Sequence, residues 1–110
     1  MDHVFSEAIR RLPLADIPIA GCTGYLSQSE THQLVFMTFE QEVDLPEHAH
    51  AAQWGVVLAG SIELTIGGVR ATYRKGDTYT IPAGVQHSGR IFAGFAAMDF
   101  FDQPDRYRAK

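Results

Sequence analysis

The chain carries the sequence PEHAHAAQWGVVLAG at residues 46–60, where two histidines stand one residue apart. On an extended chain, residues at i and i+2 point to the same face, so His48 and His50 can reach one cation. A polar amide, Gln53, follows closely and opens an apolar run. Farther along, IPAGVQH at residues 81–87 ends on a third histidine, His87. Three of the five histidines therefore lie in two short motifs, which predicts a metal site.

The sequence around these motifs has the two-residue period of short β-strands. This alternation predicts strands over residues 34–40, 61–66 and 69–74. Short runs between turns add strands over 53–59 and 78–81, with two more in 88–101. Gly67–Gly68 predicts a tight hairpin between two of them. Residues 3–12 show a loose helical pattern that Pro13 ends. The pattern predicts an all-β fold, an antiparallel sandwich or barrel, after a short helical or irregular N-terminal segment.

Two of the predicted strand segments are apolar on both faces. In residues 53–59, the side formed by Trp54, Val56 and Leu58 is as apolar as the Val57 side, and residues 91–101 behave similarly. One face can fill a barrel, but the other needs a cover. The N-terminal segment or a second subunit could provide it, and we favour a homodimer.

Composition and charge exclude several classes of partner. A chain of 110 residues is long enough for one domain with a real core. The net charge of −4 gives no electrostatic footprint for nucleic acid, and no apolar run has the length of a signal peptide or membrane span. Cys22 stands alone, so we expect no internal disulfide, a cytoplasmic location and a buried or half-buried thiol rather than a nucleophile.

The two histidine motifs resemble those of the cupin superfamily. The first cupin motif, G-x5-H-x-H-x3/4-E-x6-G, is matched at His48, His50 and Gly60, with Gln53 where the family usually has glutamate. The second motif, G-x5-P-x-G-x2-H-x3-N, is matched at Gly76, Pro82, Gly84 and His87. The sequence departs from the motifs at Glu42, at the short His50–Gln53 spacing and at Ile91. The resemblance implies a double-stranded β-helix, or jelly-roll barrel, in a single domain 1–110: N-terminal segment 1–30, barrel 31–101 and tail 102–110.

The resemblance also implies a metal. In cupins, residues at the positions of His48, His50, Gln53 and His87 converge on a divalent cation inside the barrel. Nitrogen and oxygen donors suit Zn, Ni, Fe, Mn or Cu, so the metal is not identified. Glutamine in place of glutamate leaves the full two-plus charge of the ion, which favours an anionic oxygen ligand. We therefore expect a substrate with a carboxylate or with vicinal oxygens that can chelate.

Other candidate residues surround this site. Met37, Phe39, Gly55 and Tyr79 could line a substrate cavity, although each is also compatible with plain core packing. Asp99 lies in the apolar run AAMDFF, where a buried carboxylate is a candidate general base. The alternative is that Asp99 sits in solvent at a strand end or pairs with an arginine.

These features leave two classes of function open. The first is a small metalloenzyme for isomerisation, cyclisation or lyase chemistry; similar single-domain cupins with a glutamine ligand act on unsaturated uronates. A metal-dependent dioxygenase is a variant of this class. The second is a non-catalytic module that binds or senses a small molecule. The fold by itself does not distinguish them.

Overall fold

The structure is a computed structural model that describes residues 3–110. Within this range, a short helix, α1 (Glu7–Arg10), begins after Ser6, whose hydroxyl accepts a hydrogen bond from the Ile9 amide. The strands that follow are β1 (Cys22–Gln28), β2 (Gln33–Phe39), β3 (Val43–His48), β4 (Gln53–Ala59), β5 (Ser61–Ile66), β6 (Val69–Arg74), β7 (Thr78–Ile81), β8 (His87–Ile91) and β9 (Ala96–Phe101). No helix of the described residues is long and apolar enough to cross a membrane.

The strands form two antiparallel sheets around one core. The five-stranded sheet has the order β1-β2-β9-β4-β7, and the four-stranded sheet has the order β3-β8-β5-β6. Both sheets contribute to a single cluster of buried residues, which includes Val35 and Phe101 from one sheet and Leu64 from the other. This double-sheet architecture confirms the predicted all-β jelly-roll fold.

The predicted strands agree with the structure to within one residue at their limits. The segments 53–59, 61–66, 69–74 and 78–81 are β4 to β7, while 34–40 shifts to Gln33–Phe39 and 88–101 divides into β8 and β9. Gly67 and Gly68 have φ angles of 55° and 84°, which only glycine adopts readily, and they join β5 to β6 as predicted.

Two strands were missing from the sequence prediction. Strand β1 lies inside the stretch 1–30 that was assigned to an N-terminal segment, yet it pairs with β2 along its whole length, so the sheet begins before residue 31. Its Gly24 obscures the pattern, and a Cβ there would lie only 2.6 Å from Ile17 Cδ1. Strand β3 contains Pro46, which donates no hydrogen bond, and its register shifts between Leu45 and His48.

The outer face of the five-stranded sheet is partly covered. Phe5 is buried against the rings of Tyr25 and Phe36, with centroids 6.2 and 5.6 Å away, so the N-terminal segment covers the β1–β2 side. On the β4–β9 side the His32 ring stacks on Phe100, with centroids 4.9 Å apart, but Trp54 remains 39% exposed. The apolar outer face expected from the sequence therefore persists in the folded chain.

Candidate metal centre and its cavity

Three histidines meet where β3 ends and β8 begins. His48, the last residue of β3, is the register partner of His87, the first residue of β8, and His50 lies in the loop just beyond. The ring centroids are 4.1 Å apart for His48 and His87, 4.7 Å for His50 and His87, and 5.4 Å for His48 and His50. One ligand nitrogen from each ring lies within 4.8 Å of the other two, which is close enough to bind a single ion.

Backbone carbonyls determine which nitrogen of each ring carries the proton. The Nδ1 atoms of His48, His50 and His87 lie 2.8, 2.7 and 3.0 Å from the carbonyl oxygens of residues 46, 51 and 85, respectively. A carbonyl oxygen only accepts hydrogen bonds, so each Nδ1 must donate. Each neutral ring then keeps a free lone pair on Nε2. Histidines that bind metals are oriented by this kind of second hydrogen bond, so the three residues fit a metal ion.

The environment favours the neutral rings that a metal requires. Burial lowers the pKa of His50 and of His87 below the ordinary 6.5. The hydrogen bond from each ring to a backbone carbonyl acts in the opposite direction, and the nearby positive charge of Arg106 lowers both pKa values further. Near pH 7 these two imidazoles are therefore uncharged, with lone pairs available for a cation.

Gln53, the first residue of β4, lines the same cavity as the three histidines. Its Nε2 donates a hydrogen bond of 2.9 Å to Asp99 Oδ1. The described residues provide no hydrogen bond to Gln53 Oε1, which keeps its lone pairs. An amide oxygen is a suitable donor for a divalent cation beside imidazole nitrogens.

Asp99 is a buried carboxylate beside the candidate ligands. It is 1% exposed, and its Oδ1 also accepts a 2.6 Å hydrogen bond from the Tyr79 hydroxyl. Its Oδ2 is buried without a hydrogen-bond partner among the described residues. Burial raises the pKa of Asp99 from 3.8 to about 6, although the two hydrogen bonds act in the opposite direction. The alternative of a solvent-exposed residue or an arginine partner is therefore wrong.

A cavity of about 310 Å³ joins these groups. Most of its wall is apolar and comes from both sheets and from the segment before β1: Ile17, Ile19, Met37, Phe39, Leu45, Pro46, Ile62, Leu64, Ile81, Ile91, Phe95 and Phe101. The polar groups are the three histidines, Gln53, Asp99, Tyr79, Arg106 and Tyr107. Of the expected lining residues, Met37, Phe39 and Tyr79 belong to this wall.

Gly55 has a different place from the one expected. It is not part of the cavity wall, because Tyr79 and Asp99 lie between its backbone and the cavity. A Cβ at this position would collide with the Tyr79 ring and with Asp99 Oδ1. Gly55 therefore makes room for the hydrogen-bonded pair rather than for a substrate.

Arg106 is the site residue that sequence reasoning missed. It lies in the tail, yet it lines the cavity, with its guanidinium carbon 4.6 Å from the Tyr107 ring centroid and 5.9 Å from that of Phe101. Its Nε is buried and has no hydrogen-bond partner among the described residues. No periodicity marks this residue in the polar sequence DQPDRYRAK. Its position becomes apparent only when the tail folds back over the barrel.

A double-sheet barrel with a histidine pocket is the class that the fold and site define. The chain belongs to the cupin family, because the Cupin domain family matches residues 35–96, more than half of the chain. The matched range contains both histidine motifs, and it confirms the resemblance inferred from them.

Several solved structures share this fold. An RmlC-like cupin from Shewanella frigidimarina is 22% identical, with a TM-score of 0.76 over 96% of this chain and 94% of that chain. KdgF from Halomonas sp. is 18% identical, with a TM-score of 0.70 over 83% and 87%. Oxalate decarboxylase from Bacillus subtilis is 21% identical, with a TM-score of 0.72 over 88% of this chain and 28% of that chain. No curated protein matches the sequence. At these identities the likeness shows the fold.

Proposed function

We propose that this cupin is a metalloenzyme that isomerises, cyclises or cleaves a small carboxylate-bearing molecule, most specifically a uronate-type sugar derivative. The observation that supports the proposal is the set of polar groups that line one cavity. Three histidines with free Nε2 lone pairs, a buried carboxylate and a guanidinium with an unpaired Nε all face a volume of about 310 Å³. Convergent polar groups in an apolar pocket of this size are typical of a small-molecule site.

The proposed metal ligands are Nε2 of His48, His50 and His87 together with Oε1 of Gln53. A bound divalent ion would act as a Lewis acid that polarises a substrate oxygen. The donor set suits Zn, Ni, Fe, Mn or Cu. Oxalate decarboxylase from Bacillus subtilis, which shares the fold, has Mn(II) centers, and this supports a metal in such a barrel without identifying the one used here.

A carboxylate is the substrate group that the charges of the cavity favour. All four proposed ligands are neutral, so the ion keeps its charge, and Arg106 adds a second positive group. The buried Nε of Arg106 has no acceptor among the residues described, and an anionic oxygen would provide one. The apolar remainder of the wall lowers the local dielectric constant, which strengthens both attractions.

Asp99 is the proposed proton carrier. Tyr79 and Gln53 both donate to Oδ1, which fixes the carboxylate and leaves Oδ2 with its lone pairs. Burial raises the pKa of Tyr79 well above 10.0, so its hydroxyl stays protonated as a donor at neutral pH. A proton that Asp99 takes from one substrate atom and returns to another gives a net isomerisation without another reactant.

The test combines binding with turnover. Metal-loaded protein is titrated calorimetrically with D-galacturonate and, as a neutral control, with D-galactose. An unsaturated uronate is then followed by the ultraviolet absorbance of its conjugated double bond. We expect the uronate, but not D-galactose, to bind in a metal-dependent way, and Arg106→Ala to weaken this binding about tenfold. We also expect turnover of the unsaturated uronate, which Asp99→Asn should abolish. Binding without turnover would favour the sensor function, and the absence of metal-dependent uronate binding would overturn the proposal.

A further inference from the structure

The tail that carries Arg106 is held at both of its ends by backbone hydrogen bonds. At its start, the Asp102 amide donates to Ala52 O at 2.8 Å. At its end, the Asp16 amide donates to Arg108 O at 2.7 Å and the Lys110 amide donates to Leu14 O at 2.8 Å, on either side of an isolated β-bridge between Ala15 and Ala109. Arg106 and Tyr107 lie between these two attachments. Tyr107 directly precedes the attached Arg108, and further contacts in the middle of the tail add to these attachments.

Gln33 makes those contacts from inside the barrel. It is 0% exposed, at the first position of β2. Its Nε2 donates to Tyr107 O at 2.7 Å, and its Oε1 accepts from Tyr107 N at 3.0 Å. The second proton of Nε2 is donated to Gln28 Oε1 at 2.7 Å. The carboxamide thus forms hydrogen bonds with both the N–H and the carbonyl of Tyr107, as the backbone of a neighbouring strand would.

Gln28 extends this attachment to the other side of Arg106. Its Nε2 donates to Pro104 O at 2.7 Å and to Ser29 O at 2.8 Å. The two glutamines therefore hold the tail on either side of Arg106, at residues 104 and 107. The Tyr107 ring packs edge-on against Phe101, with centroids 5.6 Å apart, and the guanidinium of Arg106 lies over the Tyr107 ring.

Gln33 occupies a position that an apolar residue would fill at lower cost. It belongs to the inward row of β2, whose other members are Val35, Met37 and Phe39. Burial of a carboxamide is unfavourable unless its donors and acceptor are all paired, and here they are. Two of these three bonds hold Tyr107, so the effect of the glutamine on the fold is concentrated on the tail.

We infer that Gln33 is a positioning residue that fixes Arg106 for carboxylate recognition, with Gln28 in support. Gln33 is not part of the cavity wall and acts through the Tyr107 backbone. The inference rests on the proposed function, because it needs Arg106 to bind the carboxylate. Without the two hydrogen bonds from Gln33 to the Tyr107 backbone, the Tyr107 ring beneath Arg106 moves. The guanidinium then loses its fixed position near the metal ligands.

The first experiment measures the attachment itself by amide hydrogen exchange in Gln33→Leu. The Tyr107 amide loses its acceptor, so its exchange should become about tenfold faster or more. The Asp102 amide, whose acceptor is Ala52 O, should keep its parent rate, which separates a local effect from general destabilisation. Gln41→Leu is a control for loss of a glutamine elsewhere, because Gln41 lies exposed just beyond the other end of β2 and donates only to Ala20 O. If Gln33→Leu fails to fold, Gln28→Ala tests the same attachment at Pro104.

The second experiment is a double-mutant cycle on the metal-loaded protein with D-galacturonate as the probe. In the parent protein, which retains Arg106, Gln33→Leu should weaken D-galacturonate binding about threefold or more and leave metal affinity unchanged. In the Arg106→Ala background it should have no further effect. Equal losses in both backgrounds, or unchanged Tyr107 exchange, would overturn the inference. If the parent itself does not bind the probe, the proposed function fails and the role of Gln33 fails with it; if the parent binds and the cycle is additive, only this inference fails.

Discussion

Gln53 Nε2 and Asp99 Oδ1 lie 2.9 Å apart, which couples a candidate metal ligand directly to a buried carboxylate. A carboxylate accepts hydrogen bonds and does not donate them, so this contact turns the nitrogen of the amide towards Asp99. The oxygen of the amide is then the atom left for a cation. The pairing also gives a physical reason for the departure from the usual cupin glutamate, because a glutamate here would bring a second negative charge against Asp99.

The first prediction concerns that second charge. In metal-free protein, Gln53→Glu should lower the free energy of unfolding by about 2 kcal/mol at pH 8, because two carboxylates in contact cannot both ionise without repulsion. Their repulsion raises the folded-state pKa, so the folded state binds more protons than the unfolded chain and stability falls as pH rises. The deficit should therefore shrink at pH 5. Urea denaturation of chelator-treated protein measures it, with Gln53→Met as the uncharged control. An equal deficit at both pH values would contradict this explanation.

The second prediction concerns the space at Gly55. Gly55→Ala should destabilise the protein by about 1–3 kcal/mol, since the added methyl group overlaps the Tyr79 ring and Asp99 Oδ1. Gly68→Ala is a useful comparison, because nothing lies within 4 Å of its Cβ and only its φ of 84° opposes the change. Its expected cost is about 1 kcal/mol. If Gly55→Ala proves neutral, the tight packing around the Tyr79–Asp99 pair is disproved.

The third prediction concerns the outer face of β4 and β9. We propose that a second copy of the chain covers this face, where Trp54, Val56, Leu58, Met98 and Phe100 remain partly or largely exposed. Light scattering after size-exclusion chromatography should then give the mass of a dimer. Trp54→Glu should shift it to the monomer, because a charge would be buried at the interface. Thr72→Glu, an exposed change on the other sheet, should leave it unaltered, and a monomeric parent would refute the dimer.

The fourth prediction concerns the lone cysteine. Burial raises the pKa of Cys22 from 9.0 to about 12, so very little thiolate forms at pH 8. Iodoacetamide should therefore alkylate native protein about a hundredfold or more slowly than urea-unfolded protein. Mass spectrometry of timed samples gives both rates. Similar rates in the two states would mean that Cys22 is more reactive than its surroundings indicate.

The sequence predicts features that depend on local patterns, but not those that depend on contacts between distant parts of the chain. Strands β5 to β7 alternate cleanly, β4 is a short apolar run, and the histidines stand in recognisable motifs, so all of these could be predicted. Strand β3 was missed because Pro46 interrupts its pattern. Gln33 and Arg106 could not be found at all, since 74 residues separate Gln33 from the Tyr107 backbone that it holds. Only the folded tail brings Arg106 to the cavity.

The metal content of the protein tests the central claim most directly. Tag-free protein, reconstituted with Fe, Mn, Ni or Zn and desalted, is measured by elemental analysis beside His87→Ala, Gln53→Ala and the control His32→Ala. His32 is a suitable control because it stacks on Phe100, away from the three clustered rings. The account predicts about one ion per chain in the parent and in His32→Ala, and none in His87→Ala. A parent that retains no metal under any of these conditions would contradict it.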